Sequence, residues 1–328
     1  MRVAAVMVAF NRAELLREAL TAVGQQTRPV DELIVVDNAS TDESAQVAAE
    51  MVARFGGHAR LIALTENTGG AGGFATGIAA AVQDPTIDWV WVMDDDTVPE
   101  PTALAEALAA HERFIEAGRG RDDLAVMGSR VVWTDGEDHP MNTPKPKIGA
   151  SQAERDRAAA AGVLEIRSIS FVSAFVRAEL VRKMGLPIAD YFLWNDDFEY
   201  SARLLRRARG IQVPGSVVVH KTKIRGSSDQ DPGERFYFEV RNKLWLFRTS
   251  KALKPWEKLA YTAASTRRWA RTFKASSNRG VLWRCLGRGL RHGLFTRPRP
   301  TVDVLAEAGL PLDVSDTVFS LTEGPGRS

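Results

Sequence analysis

The chain has 328 residues, 45% of them hydrophobic and 26% charged, which supplies a full core and argues against global disorder. Its single cysteine, Cys285, excludes an intrachain disulfide framework and a cysteine-rich zinc site, and fits a reducing compartment. The formal net charge is +2, but residues 251–299 carry 13 Lys/Arg against one acid, Glu257, whereas residues 1–250 carry 29 Lys/Arg against 35 Asp/Glu, so a basic stretch that meets anions follows a mildly acidic body.

The opening run Val3–Phe10 is apolar throughout. Asn11, Arg12 and Glu14 end it and no small-residue cleavage site follows, so it reads as a buried strand and not as a leader. Leu15, Leu16, Ala19, Leu20 and Val23 then recur at helical spacing. Strands are expected at Glu32–Val36, Arg60–Leu64 and Trp89–Met93, with a helix at Gly72–Val82. Such alternation predicts a parallel sheet flanked by helices. Further along, a helix is expected at Thr102–Ala117, a strand at Ala125–Trp133 and a loop over 134–162. Ser168–Arg177 reads as one strand, Phe198–Arg209 as a helix and Gly215–His220 as a strand; from about 234 the pattern is helical. No run of about 18 apolar residues is present, so no membrane-spanning helix is expected.

The sharpest chemical signal is Asp94-Asp95-Asp96, directly after an apolar strand. Adjacent carboxylates repel one another, and a divalent cation relieves that by taking oxygen ligands. Strand carboxyl ends are also where open α/β sheets bind ligands. A solvated acidic turn is the plain alternative. Asp37, ending a second strand, suits either a base or ribose contact or a turn. Asn67-Thr68-Gly69-Gly70-Ala71-Gly72-Gly73 suits close approach of backbone to a diphosphate. Gly70-x-Gly72-x-x-Ala75 also matches a relaxed dinucleotide fingerprint, with Asp94 downstream, which keeps a nicotinamide-dependent oxidoreductase open. Trp194-Asn195-Asp196-Asp197 opens a helix, where acids favour the dipole or supply a general base. His220 ends a strand and becomes a candidate ligand once a metal site is considered.

Taken in order, these segments resemble the family 2 glycosyltransferases. The resemblance rests on Val6–Arg12, Gln26-Thr27-Arg28-Pro29, Val35-Val36-Asp37-Asn38-Ala39-Ser40-Thr41-Asp42, Asn67 with Gly69-Gly70, and the Asp94–Asp96 triplet, and it covers roughly residues 1–225. It implies a nucleotide-diphospho-sugar transferase (GT-A) fold, with a Rossmann-like, mostly parallel sheet flanked by helices and a C-terminal helical extension. Phe10, Arg12, Asp37, Asn67, Gly69, Asp94 and Asp95 are then donor-binding candidates; Asp94, Asp96 and His220 hold Mn²⁺ or Mg²⁺. Asp197, with Asp196 beside it, is the catalytic candidate, and Trp194, Asp196, Tyr237 and Arg241 are acceptor-binding candidates. The tryptophan, the triplet, His220 and Tyr237–Arg248 look most like bacterial galactofuranosyltransferases, then rhamnosyltransferases using dTDP-rhamnose.

The expected organisation is a catalytic domain over 1–233 (donor half 1–98, acceptor half 99–233), a basic helical extension over 234–300 and a tail over 301–328. The expected activity is inverting, metal-dependent transfer of galactofuranose from UDP-galactofuranose to a lipid-linked saccharide in cell-wall or surface polysaccharide synthesis. A cytoplasmic enzyme, peripheral on the inner face of the membrane, fits that chemistry. In the basic stretch Leu282, Trp283, Leu286, Leu290 and Leu294 share one helical side, with Arg284, Arg288 and Arg291 opposite. That pattern suits a membrane surface or a packed helix equally. No nucleic-acid-reading module accompanies the charge, so nucleic acid is not an expected partner.

Overall fold

The computed structural model describes residues 1–222 and 231–323. In chain order the first half runs β1 (Val3–Ala9), α1 (Ala13–Gly24), β2 (Glu32–Asp37), α2 (Ser44–Phe55), β3 (Ala59–Ala63), α3 (Gly69–Ala81), β4 (Trp89–Asp94), β5 (Thr97–Pro99), α4 (Ala103–Ala117) and β6 (Leu124–Val132). It continues with β7 (Lys145–Pro146), α5 (Gln152–Ala160), β8 (Leu164–Ser168), β9 (Ser173–Arg177), α6 (Ala178–Met184), α7 (Asp196–Leu204) and β10 (Arg209–His220). Helices close the chain: α8 (Phe236–Thr249), α9 (Pro255–Ala275), α10 (Arg279–Phe295), α11 (Thr301–Leu305) and α12 (Leu312–Glu323).

The sheet runs β3-β2-β1-β4-β9-β6-β10-β8-β7, with β5 against β10. Its first four strands are parallel. Beyond β4 the pairing is mixed: β9 is antiparallel to β4 and β6, while β10 is parallel to β6 and antiparallel to β8. The expectation of a mostly parallel sheet therefore holds for the donor half only. Two cores sandwich the sheet, and the pleat divides β1 between them: Ala4, Val6 and Val8 face one, Val3, Ala5 and Met7 the other.

Two departures from the sequence reading have clear causes. Residues 168–177 are not one strand, because the chain turns at 169–172 and enters the sheet again elsewhere. That turn is buried, which is why it reads as apolar; the Ser201 hydroxyl serves its backbone, accepting from the Ile169 N–H at 3.1 Å and donating to the Ile169 carbonyl at 3.2 Å. The expected loop over 134–162 contains β7 and α5, and α5 starts on a capping box between Ser151 and Glu154 that was visible as S-x-x-E. Residues 301–323 fold back: Leu305, Ala308, Val314 and Val318 are buried in the same core as β1 and α3.

Helix α10 forms despite its glycines, and two of them make its packing possible. A Cβ on Gly289 would lie 2.7 Å from Val240 Cβ, and one on Gly293 2.7 Å from Leu244 Cβ, so α8 and α10 touch along a small-residue seam. Leu282 and Cys285 extend that buried face, and Leu286 and Leu290 pack beside it, which is the packed-helix alternative for that side. Trp283, at 64% exposure, and Phe295, at 82%, stay outside. Gly287 faces open space. Gly289→Ala is expected to lower stability by about 1–3 kcal/mol through overpacking. Gly287→Ala is expected to raise it by up to about 1 kcal/mol through helix propensity. Urea melts of both variants check the pair, and equal effects of one sign would contradict the seam.

Candidate active site

Strand register assembles the site. Val8 lies opposite Asp94 and Ala9 opposite Asp37, so β1, β2 and β4 end level with one another. After the turn at Asp95 and Asp96, β5 runs antiparallel to β10 and sets His220 opposite Thr97. Residues far apart in sequence thereby converge: ligand atoms of Asp94, Asp96 and His220 all lie within 4.8 Å of one another.

The three aspartates have different partners. Asp95 Oδ2 accepts the Phe10 backbone N–H at 2.9 Å, and its Oδ1 lies 3.3 Å from Arg12 Nη1. Arg12 also pairs with Asp96. Asp96 Oδ1 is buried, sits 3.1 Å from His220 Nε2 and has no hydrogen-bond partner among the described residues. Burial, then repulsion from Asp96, lifts the Asp94 carboxyl to about 6. Burial lifts Asp95 to about 7. Burial also pushes Asp96 upward, but the nearness of His220 and then of Arg12 outweighs it, and its carboxyl lies below the usual range.

His220 is aimed from behind. Asn142 Oδ1 accepts from its Nδ1 at 2.9 Å, leaving the Nε2 lone pair directed at the carboxylates. Asn142 Nδ2 donates in turn to Ser170 Oγ at 3.1 Å. Two carboxylates, an imidazole with Nε2 available, and an orphaned buried oxygen fit a divalent cation. Asn142 is a supporting residue that sequence reasoning missed, because it sits in a segment read only as loop. Asn142→Leu is expected to weaken Mn²⁺ affinity by about 10–100-fold, the usual cost of losing such a partner. Isothermal titration calorimetry with Mn²⁺ and UDP measures it; unchanged affinity would contradict the ligand role of His220.

The other donor candidates line the same sheet end. Asp37 is buried; its Oδ2 accepts the Ser40 N–H at 3.2 Å, while among the described residues its Oδ1 has no partner. It therefore serves the turn and still offers one acceptor to a ligand. Asn67 is exposed and its Oδ1 accepts the Gly69 N–H at 2.8 Å. The glycine run does structural work. Gly69 has φ +70°, with the Phe192 carbonyl where a Cβ would stand, and a Cβ on Gly73 would lie 2.5 Å from Val8 Cγ1. The segment that suggested a dinucleotide turn is thus the packing surface between α3, β1 and a later loop.

That later loop presents the acidic pair. Phe192, Trp194 and Asn195 all have positive φ, a costly conformation for residues with a Cβ. Asn242 on α8 holds it, its Nδ2 donating to the carbonyls of Tyr191, Leu193 and Trp194, each at 2.9 Å. Arg241 Nη2 donates to the carbonyls of Asp190 at 2.7 Å and Tyr191 at 3.0 Å. Arg241 is spent on this clamp, and the Tyr237 hydroxyl is 2.7 Å from His292 Nδ1 on α10, so neither acceptor candidate faces the cleft.

Trp194 and Asp197 do face it. They line a cleft of about 400 Å³ together with Phe198, Glu239, Lys243 and Trp269. Asp196 points away from the cleft and is buried, and burial followed by the charge of Asp197 holds its carboxyl well above the usual range. Burial raises Asp197 as well, opposed by the Phe198 N–H and by Lys243. The charge of Asp197 also reaches Asp94, so the acidic helix start and the triad share one electrostatic site.

A metal-fitting acidic triad thus sits at one end of this mixed sheet, near a cleft lined by a carboxylate. Residues 4–145 match the family description "Glycosyl transferase family 2". Residues 4–145 thus carry a family 2 glycosyltransferase domain, on a chain with the GT-A fold. The chain is 33% identical over 215 residues to galactofuranosyltransferase GlfT1 of Mycolicibacterium smegmatis, a match covering 62% of this chain and 65% of that one. The chain thus spans just under two thirds of that relative. TarS residues 1–349 of S. aureus, in complex with UDP, superimpose with TM-score 0.56 at 16% identity, covering 98% of this chain and 90% of the other. GalNAc-T7 with UDP, GalNAc and Mn²⁺ gives TM-score 0.60 at 12% identity, covering 94% and 59%.

Proposed function

We propose that this chain transfers galactofuranose from UDP-galactofuranose, with inversion, to a lipid-linked saccharide of cell-wall or surface polysaccharide synthesis. The observation that carries the reading is the placement of Asp197 in a cleft within electrostatic reach of the Asp94/Asp96/His220 triad. The name of the M. smegmatis relative supports the sugar, and the UDP bound in TarS and GalNAc-T7 supports the nucleotide. Asp94, Asp96 and His220 would hold Mn²⁺ or Mg²⁺, which supplies Lewis-acid neutralisation of the leaving diphosphate. Asp37 Oδ1 accepts a hydrogen bond from the base or ribose. Trp194 gives the acceptor sugar an apolar face, and Asp197 takes the proton from its attacking hydroxyl. The base needs burial to raise its proton affinity and Lys243 to keep it ionised, and both are present.

Asp197→Asn keeps size and removes basicity, so turnover is expected to fall by about 10²–10⁴-fold with donor affinity unchanged. Steady-state kinetics with UDP-galactofuranose, beside UDP·Mn²⁺ thermal shifts, check this. A variant with normal turnover removes Asp197 from the chemistry, and a protein that ignores UDP but binds dTDP moves the donor to rhamnose.

The inner membrane face is the proposed location. No helix of the described residues is long and apolar enough to cross a membrane. Trp256 and Leu259 on α9 and Trp283 and Phe295 on α10 are exposed within the basic stretch, a pairing that suits an anionic surface. Replacing all four by serine is expected to lower binding to phosphatidylglycerol vesicles at least several-fold in flotation assays, more at high salt, where charge alone is screened. Vesicle binding that survives unchanged would contradict this face.

A further inference from the structure

We propose that the acceptor cleft contains an anion subsite, anchored by Lys243, that takes a phosphate group carried by the acceptor. The inference deepens the function proposed above and rests on it. Lys243 stands on α8 with 8% of its surface exposed and lines the cleft beside Asp197. Among the described residues its ammonium forms no hydrogen bond and has no carboxylate within ion-pair distance; the Phe198 ring is 5.2 Å away. Buried ammonium groups are normally paired, since three donors and a full charge are otherwise left without solvent.

The nearest acid does not fill the role. Glu239, one turn earlier on the same helix, already takes Arg268, the Trp269 indole N–H at 3.2 Å and the Asn195 amide at 3.2 Å. Asp197 acts on Lys243 through space, but its carboxylate is not within ion-pair distance of the ammonium. Positive charge meanwhile accumulates around the same space. Lys145 on β7 and Arg268 on α9 line the cleft, and both oppose the charge of Lys243. With Arg268 already held by Glu239, Lys243 and Lys145, brought together from two separate elements, gain from an anion placed between them, and a phosphate presents oxygens on every side. The donor diphosphate has its own place, because Asp94, Asp96 and His220 do not line this cleft. The anion is therefore on the acceptor, and its position beside Asp197 selects a phosphorylated saccharide over a neutral one.

The test compares α-D-glucose 1-phosphate with methyl α-D-glucoside, the same sugar with and without the phosphate. Calorimetry is run on the full chain, free and saturated with UDP·Mn²⁺, for wild type and Lys243→Met. Wild type is expected to bind the phosphorylated sugar at least tenfold more tightly with UDP·Mn²⁺ in place. Lys243→Met is expected to lose that preference, keep its UDP·Mn²⁺ affinity within twofold and melt no lower than wild type, because it removes an unpaired buried charge. Equal affinity of wild type for the two sugars overturns the subsite. Displacement of UDP by the sugar phosphate assigns the anion to the donor site and overturns it as well. A variant that melts lower and keeps the preference makes Lys243 a packing residue. If UDP does not bind at all, the proposed function falls, while the phosphate preference is still read on the nucleotide-free protein.

Discussion

Three carboxylates in a row at the end of one buried strand repel one another, and the rest of the active-site end is arranged around that repulsion. Two of the acids draw partners from other elements. The loop after β1 gives Asp95 a backbone N–H and brings Arg12 between Asp95 and Asp96. The end of β10 brings His220 to Asp96, a contact made available because β5 reverses direction straight after the triplet. Asp94 keeps a raised proton affinity, as Asp95 does. An arrangement that leaves Asp94 and Asp95 with raised proton affinity and one oxygen of Asp96 unsatisfied is shaped for an added cation more than for stability.

Helix α8 is the second organising element, and its three faces do three jobs. Val240 and Leu244 meet the glycines of α10. Arg241 and Asn242 grip the carbonyls of residues 190–194. Phe236, Glu239 and Lys243 look into the cleft. The grip matters because the loop it holds contains three residues with positive φ, a conformation that reverts unless its carbonyls are tied down. The same loop touches the donor half, where the Phe192 carbonyl accepts the Ala71 N–H at 3.2 Å. The residues presenting Asp197 are thus fixed from both the donor and the acceptor sides. The α10 helix, which contributes no residue to the cleft, supports the site by fixing α8.

The sequence made the donor half legible because its signals are local. Buried parallel strands read as unbroken apolar runs, and their ends carry the acids. The triplet, Asp37, Asp197 and His220 were found by type and position, and the structure gathers the triad as the resemblance implied. What sequence did not yield depends on partners remote in the chain. Asn142 acquires meaning only through a histidine 78 residues away, and Asn242 only through carbonyls about 50 residues back. The resemblance makes Arg241 an acceptor-binding candidate, yet the backbone of a strained loop claims it first. The glycines of α10 counted against a helix by propensity, whereas tertiary contact with α8 turns their missing side chains into the reason the helix packs.

Two features of the cleft work against stability, the strained loop and the bare ammonium of Lys243. A protein selected for stability alone would replace the lysine by an apolar residue of similar length, since Phe198 already offers its ring there. Both features border the acceptor side; on the donor side Asn38 Oδ1 accepts from the Thr68 N–H at 2.9 Å and its Nδ2 donates to the Gly69 carbonyl at 2.9 Å, while Asp37 Oδ1 and Asp96 Oδ1 are left without partners among the described residues. In the proposed reaction, groups left unsatisfied on both sides are completed by the two substrates, and binding energy from the acceptor goes into aligning its hydroxyl with Asp197.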